Sequence, residues 1–463
     1  MKTHTFDIET YFNYTLFALR DVVSHELITF EIRGKNKTLK HKHYDKLTRL
    51  LTENVIVTFN GLKFDEPITA FALKGATAKE LYDSAQALIK DKVHPYMFYR
   101  NIQAKAFITN HIDIMDVARG KASLKLYGAR LGTKKLQDLP YPPETKLTDK
   151  EMDEVLDYCE NDNILTQELL DYLKPDIELR KEITKKYNIN VMSDNGAKIA
   201  EKILVKECEY KGKAPSIPEM VKYKPPKYIK FKTPELKKLF KKICNHKFLL
   251  MNDGILQQLD KYKLRDEYTF LLDDLRIEKS TKERFGSKSK KIISNSGNVI
   301  SPDFLDKPIT IDGVSHKLGL GGVHGSVENT TIKRNKKTEL IVDIDYKSLY
   351  PSLKIQNGFI PEHIGGRYLK VYGGMYHTRN NVLKPAMKTV EYGSKEYNRL
   401  DREQDVMKLV LNSSFGKEGE KYSKVYDPSS LLHTTLTGQL TLMMKNYTLK
   451  DSKLSMRIQM VLH

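Results

Sequence analysis

Thr3-His4-Thr5-Phe6-Asp7-Ile8-Glu9-Thr10 is the stretch from which the fold is read. Its β-branched and aromatic residues suit a strand. Side chains two apart on a strand share a face, so Asp7 and Glu9 point together. Like charges held side by side repel unless a cation sits between them. An Asp-x-Glu pair also occurs on ordinary solvated strands, so the choice falls to the rest of the chain.

Working outward, Val55-Ile56-Val57-Thr58-Phe59 is a second apolar run, ending at Asn60-Gly61-Leu62-Lys63-Phe64-Asp65. Ile112 to Val117 reads as another short strand, and Ser123-Leu124-Lys125-Leu126 starts a helix-like segment. Pro140, Pro142 and Pro143 mark a loop. A helix is expected from about Thr148 to Leu173, with Thr148 as N-cap and Glu151 in capping-box position. Tyr158 and Asp162 are four apart on it and share a face. Residues 1–175 therefore read as an α/β unit in which Asp7 and Glu9, Asp65, and Asp162 come from three elements. Such a supply fits a two-metal hydrolytic site, where two divalent ions about 3.5–4 Å apart stabilise the attacking and leaving oxygens of a phosphodiester. Hard oxygen ligands suit Mg²⁺, or Mn²⁺ in its place. Tyr158 could orient the attacking water, while Asp162 on a charged helix face could equally be solvated.

The bulk numbers set bounds. A chain of 463 residues is long enough for several domains with real cores. Hydrophobic residues make up 40%, which argues against disorder, and no apolar run is long enough to span a bilayer. The N-terminus lacks an apolar signal region, so secretion is not expected. Cys159, Cys208 and Cys244 form no CxxC, which suits a reducing compartment and argues against a zinc site. The net charge of +19, from 78 Lys plus Arg against 59 Asp plus Glu, favours a polyanionic partner or simply a lysine-rich surface. Twenty-six tyrosines tilt the choice toward nucleic acid, because bases stack on aromatic rings.

Residues 176–335 are less pointed. Helical periodicity resumes at Ile199 to Lys206 after a break at Asn195-Gly196. Lys222 to Lys232 alternates lysine with Tyr and Phe around Pro225-Pro226. It reads as an edge strand, either along a phosphate backbone or kept solvated by its lysines. Lys237-Lys238 and Lys241-Lys242 repeat this ambiguity on a helix, and Gly286 to Lys291 reads as a surface loop. In Leu318-Gly319-Leu320-Gly321-Gly322-Val323-His324-Gly325, four glycines let a backbone approach a ligand closely.

A second decisive stretch is Leu340-Ile341-Val342-Asp343-Ile344-Asp345-Tyr346-Lys347-Ser348-Leu349-Tyr350-Pro351-Ser352. It reads as a buried strand that carries a carboxylate into a Tyr-Pro turn. Some sixty residues later, Lys408 and Asn412 are four apart in Lys408-Leu409-Val410-Leu411-Asn412-Ser413-Ser414-Phe415-Gly416. Apolar neighbours there support an amphipathic helix ending at Gly416. Thr434 to Asn446 reads as a helix and Leu454 to Leu462 as a strand.

These residues together resemble family B DNA polymerases. Phe6-Asp7-Ile8-Glu9-Thr10, Asn60-x-x-x-Phe64-Asp65 and Tyr158-x-x-x-Asp162 are similar to the three motifs of its proofreading 3′→5′ exonuclease, in order and spacing. Ser123 to Gly132 resembles the stretch before the third. Asp345-x-x-Ser348-Leu349-Tyr350-Pro351-Ser352 is similar to motif A, and Lys408 to Gly416 to motif B, with Phe415 where tyrosine is usual. Gly321-Gly322 resembles a template-contacting element that lacks its tyrosine.

The resemblance implies an α/β multidomain fold: an RNase H-like exonuclease domain followed by a partial palm with helical fingers. The implied parts are an exonuclease domain at 1–175, a linker and template-binding region at 176–335, palm with motif A at 336–365, fingers with motif B at 366–425, and incomplete palm at 426–463. Asp7, Glu9, Asp65, Asp162 and Asp345 would hold Mg²⁺, two ions per active site, with Tyr158 catalytic. Ser348, Leu349, Tyr350, Lys408, Asn412 and Phe415 would bind the incoming nucleotide, with Tyr350 excluding a 2′-hydroxyl. Asn60, Phe64, Gly321 and Gly322 would contact DNA. Asp343 has no assigned role.

Primer–template DNA and dNTPs are the implied partners, with no membrane. The short interval between motifs A and B leaves no room for the insertion that binds a priming protein, so no terminal protein is expected. Motif C and the thumb do not follow before His463, so a second polypeptide, or a C-terminal part missing from a truncated gene or sequence, is expected to supply them for polymerisation. A stand-alone exonuclease and a non-catalytic DNA-binding remnant are the alternatives. The family's compact members point to a viral protein acting in the host cytoplasm.

Overall fold

The computed structural model describes residues 1–91, 93–118, 120, 122–250, 297–299, 301–311, 313–326, 346–446 and 458–459. They fall into two units, Met1–Asn195 and Gly196–His463. The boundary coincides with the break in helical periodicity expected at Asn195-Gly196, twenty residues beyond the domain edge expected at 175.

The first unit is built on a five-stranded mixed sheet. Strands β1 (Thr3–Tyr11), β2 (Tyr14–Asp21) and β3 (Leu27–Arg33) are antiparallel neighbours. Strand β4 (Val55–Thr58) runs parallel to β1, and β5 (Asn110–Asp113) parallel to β4, giving the order β3-β2-β1-β4-β5. Helices α1 (Tyr44–Glu53), α2 (Asp65–Ala72), α3 (Ala78–Ile89) and α4 (Pro95–Asn101) occupy the chain between β3 and β5. Helices α5 (Leu124–Leu131), α6 (Asp149–Tyr172) and α7 (Lys174–Tyr187) follow.

Period-two alternation divides the strands between two cores. Phe6 and Ile8 join a core with Phe17, Phe30, Leu47 and Leu81. Tyr11, Tyr14 and Leu16 pack instead on Met152, Val155 and Cys159 of α6. Asp7 and Glu9 share the parity of Tyr11 and so face α6.

The expected capping box is present on α6. Thr148 N donates to Glu151 Oε2 at 2.7 Å, and Glu151 N to Thr148 Oγ1 at 3.4 Å. One residue before it, Leu147 is tied through both backbone groups to the buried Asn13 side chain, at 2.8 and 2.9 Å. The turn between β1 and β2 thereby sets where α6 begins. The expected strand over Ile112–Val117 is displaced: β5 ends at Asp113 and residues 114–117 turn away. The cause is local, since Asp113 Oδ1 accepts the Met115 N–H at 3.1 Å and draws the chain out of the ladder.

In the second unit, α8 (Gly196–Glu207) packs along the long helix Lys395–Glu418. Gly196 lets them close, because a Cβ there would lie 3.2 Å from Ser413 Oγ. Strands β6 (Met220–Lys222) and β7 (Lys247–Leu249) pair antiparallel, with α9 (Pro234–Asn245) between them. The strands β8 (Ile309–Ile311), β9 (Val314–Lys317), β10 (His324–Ser326) and β11 (Ile458–Gln459) form an antiparallel sheet in the order β11-β10-β9-β8. Helices α10 (Leu349–Asn357), α11 (Gly366–His377), α12 (Lys395–Glu418) and α13 (Pro428–Asn446) are the longer helices that follow, with a π-type turn at Thr378–Leu383 and single helical turns at Asp303–Asp306 and Lys384–Met387.

Four expectations change here. The tract Lys222–Lys232 is not an edge strand: regular pairing stops at Lys222, ahead of two prolines that lack a donor. Its alternation is real but serves the core, with Tyr223, Ile229 and Phe231 buried and the lysines outside. The aromatic rings Tyr223 and Phe231 are therefore closed to stacking bases. Pro351 does not close a Tyr-Pro turn. It lies in the first turn of α10, where no intrahelical donor is needed. Helix α12 runs through Gly416 to Glu418, and α13 starts at Pro428, earlier than Thr434. The expected loop Gly286–Lys291, and the strand carrying Asp343 and Asp345, lie outside the described residues. Of the strand expected at Leu454–Leu462, only Ile458–Gln459 is described. No described helix is long and apolar enough to cross a membrane.

Candidate metal centre and nucleotide-facing residues

Strand β1 and helix α6 bring three carboxylates together. One oxygen each from Asp7, Glu9 and Asp162 lies within 4.8 Å of the others, the only such group among the described residues. All three are half-buried. Asp65, the first residue of α2, is 2% exposed, and its Oδ1 has no hydrogen-bond partner. Asp162 Oδ1 is likewise buried without a partner.

The charges act on one another. Burial, then the neighbouring Asp162, pushes the Asp7 carboxyl up to about 7. Burial, then Asp7, raises Glu9 and Asp65 well above the ordinary carboxylate range. Burial raises Asp162 too, opposed by its hydrogen bond to Tyr158 and by Lys125. Carboxylates this close, with oxygens left unpaired, make an electrostatically frustrated cluster that a divalent cation would relieve. Hard oxygen donors at this spacing fit Mg²⁺ or Mn²⁺.

The surroundings include groups the motifs did not single out. The Cys159 thiol donates to Asp7 Oδ2 at 3.4 Å. Lys125 Nζ sits 5.6 Å from the centroid of the Tyr158 ring and also pairs with Asp138 at 3.1 Å. Burial, then Asp162 and Glu9, raises the Tyr158 phenol, which keeps it protonated at neutral pH. Helical spacing of Cys159 next to Tyr158 offered no hint of its contact with β1. The position of Lys125 follows from α5 packing on α6, which sequence alone does not reveal.

Asn60 and Phe64 flank the entry to α2. Asn60 adopts a left-handed conformation with φ of 71°, and Gly61 follows because a Cβ there would meet Thr58 Oγ1 at 2.3 Å. Both Asn60 and Phe64 are half-buried, so the turn presents part of each side chain.

In the second unit, Asp345 lies outside the described residues. Ser348 caps α10 with φ of 51°, a left-handed conformation uncommon for a residue with a Cβ. Leu349 is half-buried in the first turn. Tyr350 is 8% exposed, and its hydroxyl donates to Gly321 O at 2.9 Å. The Gly321-Gly322 tract is thus joined to Tyr350, while Gln439 Nε2 donates to Gly319 O at 2.6 Å. Tyr350 meets Phe415 edge-on, with centroids 5.5 Å apart. Phe415 is 3% exposed, so its ring supports Tyr350 rather than offering an open face.

Lys408 and Asn412 are exposed on one side of α12. Lys408, Lys347 and Arg379 each act on Lys384 as repelling neighbours and help burial lower its pKa. Three of these four cations, all but Lys408, were not legible as a group from sequence. A cleft of about 920 Å³, lined by Lys222, Lys224, Phe359, His363, Asp427 and His433 among others, includes none of these residues.

No family model and no curated protein matches the chain. Among solved structures, the family B DNA polymerase from the hyperthermophilic archaeon Pyrobaculum calidifontis aligns with a TM-score of 0.44 and 12% identity. The alignment covers 97% of this chain and 51% of that one, so the chain spans about half that polymerase's length.

Proposed function

We propose that the first unit is a 3′→5′ exonuclease acting on DNA by two-metal hydrolysis, and that the second unit binds a nucleoside triphosphate, as in a family B DNA polymerase. The observation that carries the exonuclease reading is the convergence of Asp7, Glu9 and Asp162 oxygens within 4.8 Å. Asp7, Glu9 and Asp162 would hold one ion, and Asp65, beside Asp7, would serve a second. Bound there, Mg²⁺ would supply charge neutralisation at the leaving oxygen and a more acidic water.

The protein's own groups do the rest. Tyr158, kept protonated beside Asp162, would orient the attacking water. Lys125, held over the Tyr158 ring, adds positive charge beside the scissile phosphate. The net charge of +19 favours the polyanion. In the second unit, the grouping of Lys347, Arg379, Lys384 and Lys408 supports a triphosphate ligand. Tyr350, tethered to Gly321, supports selection at the sugar.

The test is a 5′-labelled primer annealed to template, incubated with the chain and Mg²⁺. The primer should shorten from its 3′ end, and Asp7→Ala should abolish the shortening. A primer that stays intact with both Mg²⁺ and Mn²⁺ rules the exonuclease out, and DNA binding without cleavage would then identify a non-catalytic DNA-binding protein. For the second unit, a fluorescent dNTP should bind with an affinity that Lys408→Ala weakens. Equal binding by both proteins would refute that half.

A further inference from the structure

Beneath the acidic cluster lies a buried carboxylate with no place in the hydrolysis. Asp113, at the end of β5, is 4% exposed. Its Oδ1 accepts the Asn60 N–H at 2.9 Å and the Met115 N–H at 3.1 Å, and its Oδ2 accepts the Leu62 N–H at 3.1 Å. Asn60 and Leu62 belong to the turn that delivers Asp65 to the start of α2. That turn is strained at Asn60, with φ of 71°, and admits only glycine at position 61. Such a conformation persists only where the surroundings over-determine it. The Asp113 carboxylate, which takes two of the turn's amides, is that determinant.

A second set of contacts holds the far end. Glu66 Oε1 accepts the Phe107 and Ile108 N–H groups, both at 2.7 Å, and its Oε2 lies 3.4 Å from His111 Nδ1. His111 Nε2 is 2.8 Å from Thr58 Oγ1. Asp65 is therefore bracketed between two anchored segments, and its own carboxylate is left with an unpartnered oxygen.

We propose that Asp113 is a positioning residue for Asp65: it fixes the Asn60–Phe64 turn and so sets the second of the two cation sites. Asp7, Glu9 and Asp162 stand on β1 and α6, whereas Asp113 bonds to Asn60, Leu62, Met115 and Ser193, so the first cation site is independent of it. The inference rests on the two-metal reading of the first unit.

The experiment is a Mn²⁺ titration of the full chain followed by electron paramagnetic resonance, which needs no catalysis. The wild type should bind two ions. Asp113→Asn should weaken the second by about 10–100-fold, the range for groups that orient a metal ligand without touching the metal. The first should be unchanged, which also reports that the variant is folded. Asp113→Glu, which keeps the charge but misplaces the oxygens, should weaken the second site too. Asp65→Asn should give the same loss. Equal weakening at both sites, or none at either, overturns the positioning role. A wild type that binds no Mn²⁺ and shortens no primer instead removes the two-metal reading itself.

Discussion

At the scale of single residues, the acidic cluster is costly to the fold and useful to the site. Asp7 shows the trade. Its pKa is raised from 3.8 to about 7 by burial and by Asp162. A carboxyl raised in the folded state favours folding while protonated. That contribution is fully present below 3.8 and is lost as the pH rises to about 7. Metal-free Asp7→Asn should therefore melt above wild type at pH 8, with the difference shrinking toward pH 4. A difference that is constant with pH would mean Asp7 is not destabilised by its neighbours. Taking the variant difference cancels the lowered histidines, such as His4 and His433, which act with the opposite sign. Tyr158→Phe isolates a second role, since it keeps the buried ring and removes only the hydroxyl. The turnover number of the proposed exonuclease should fall about 100-fold or more with KM little changed, as for loss of a group that acts in proton transfer or water orientation. An unchanged turnover number would exclude that role.

At the scale of elements, legibility depended on how local the determining contacts are. The α6 cap was readable because Thr148 and Glu151 satisfy each other within one turn. The end of β5 was not, because it depends on where the Asp113 carboxylate points. Pro351 misled because a proline in the first turn of a helix looks the same in sequence as one in a turn. The lysine–aromatic tract misled because alternation describes a strand on a core as well as one on DNA, and only burial of Tyr223 and Phe231 separates them. A further element-level device was invisible in the sequence. Lys354 of α10 is fully buried and pairs with Glu418 of α12 at 2.7 Å and with Ser430 of α13 at 2.7 Å. Tyr368 of α11 donates to the same Glu418 at 2.9 Å. Four helices therefore meet at one ion pair. Lys354→Met alone should lower stability by about 3–5 kcal/mol, because it strands a buried carboxylate. Adding Glu418→Leu should recover most of this, and Tyr368→Phe more, since its hydroxyl otherwise loses its acceptor. Chemical denaturation of the three variants checks the order, and no recovery in the double variant would show that the pair is not coupled.

At the scale of the molecule, the sequence's positive excess becomes a surface property once Tyr223 and Phe231 of the 222–232 tract are seen to turn inward, leaving Tyr228 as its exposed ring. The lysines of α9, Lys237, Lys238, Lys241 and Lys242, are all exposed. DNA affinity should then be dominated by phosphate contacts, with the logarithm of the binding constant falling against that of salt at a slope steeper than about −3. A slope near zero would mean the excess is only a solvated surface. The α/β character, β1, β4 and α6 were legible in the sequence because their patterns are periodic or capped, whereas β2, β3, α1 to α4 and α7 were not read from it. The joining of Gly321 to Tyr350, and of Asp113 to Asn60, was not, because each spans tens of residues. The alternation of β1 has one more consequence. Its even positions, Phe6 and Ile8, fill one core, while Asp7 and Glu9 face α6. Every position along it is committed to one side or the other, so the strand behaves as a spatial reading frame. Changing one letter of it, such as Ile8→Val, alters one contact. Deleting one letter between Phe6 and Glu9 exchanges acid for hydrocarbon on both faces at once. In a library of single-codon deletions scored for soluble expression, this segment should be far less tolerant than the exposed turn at Val23–His25. Equal tolerance would show that register is not what the strand encodes.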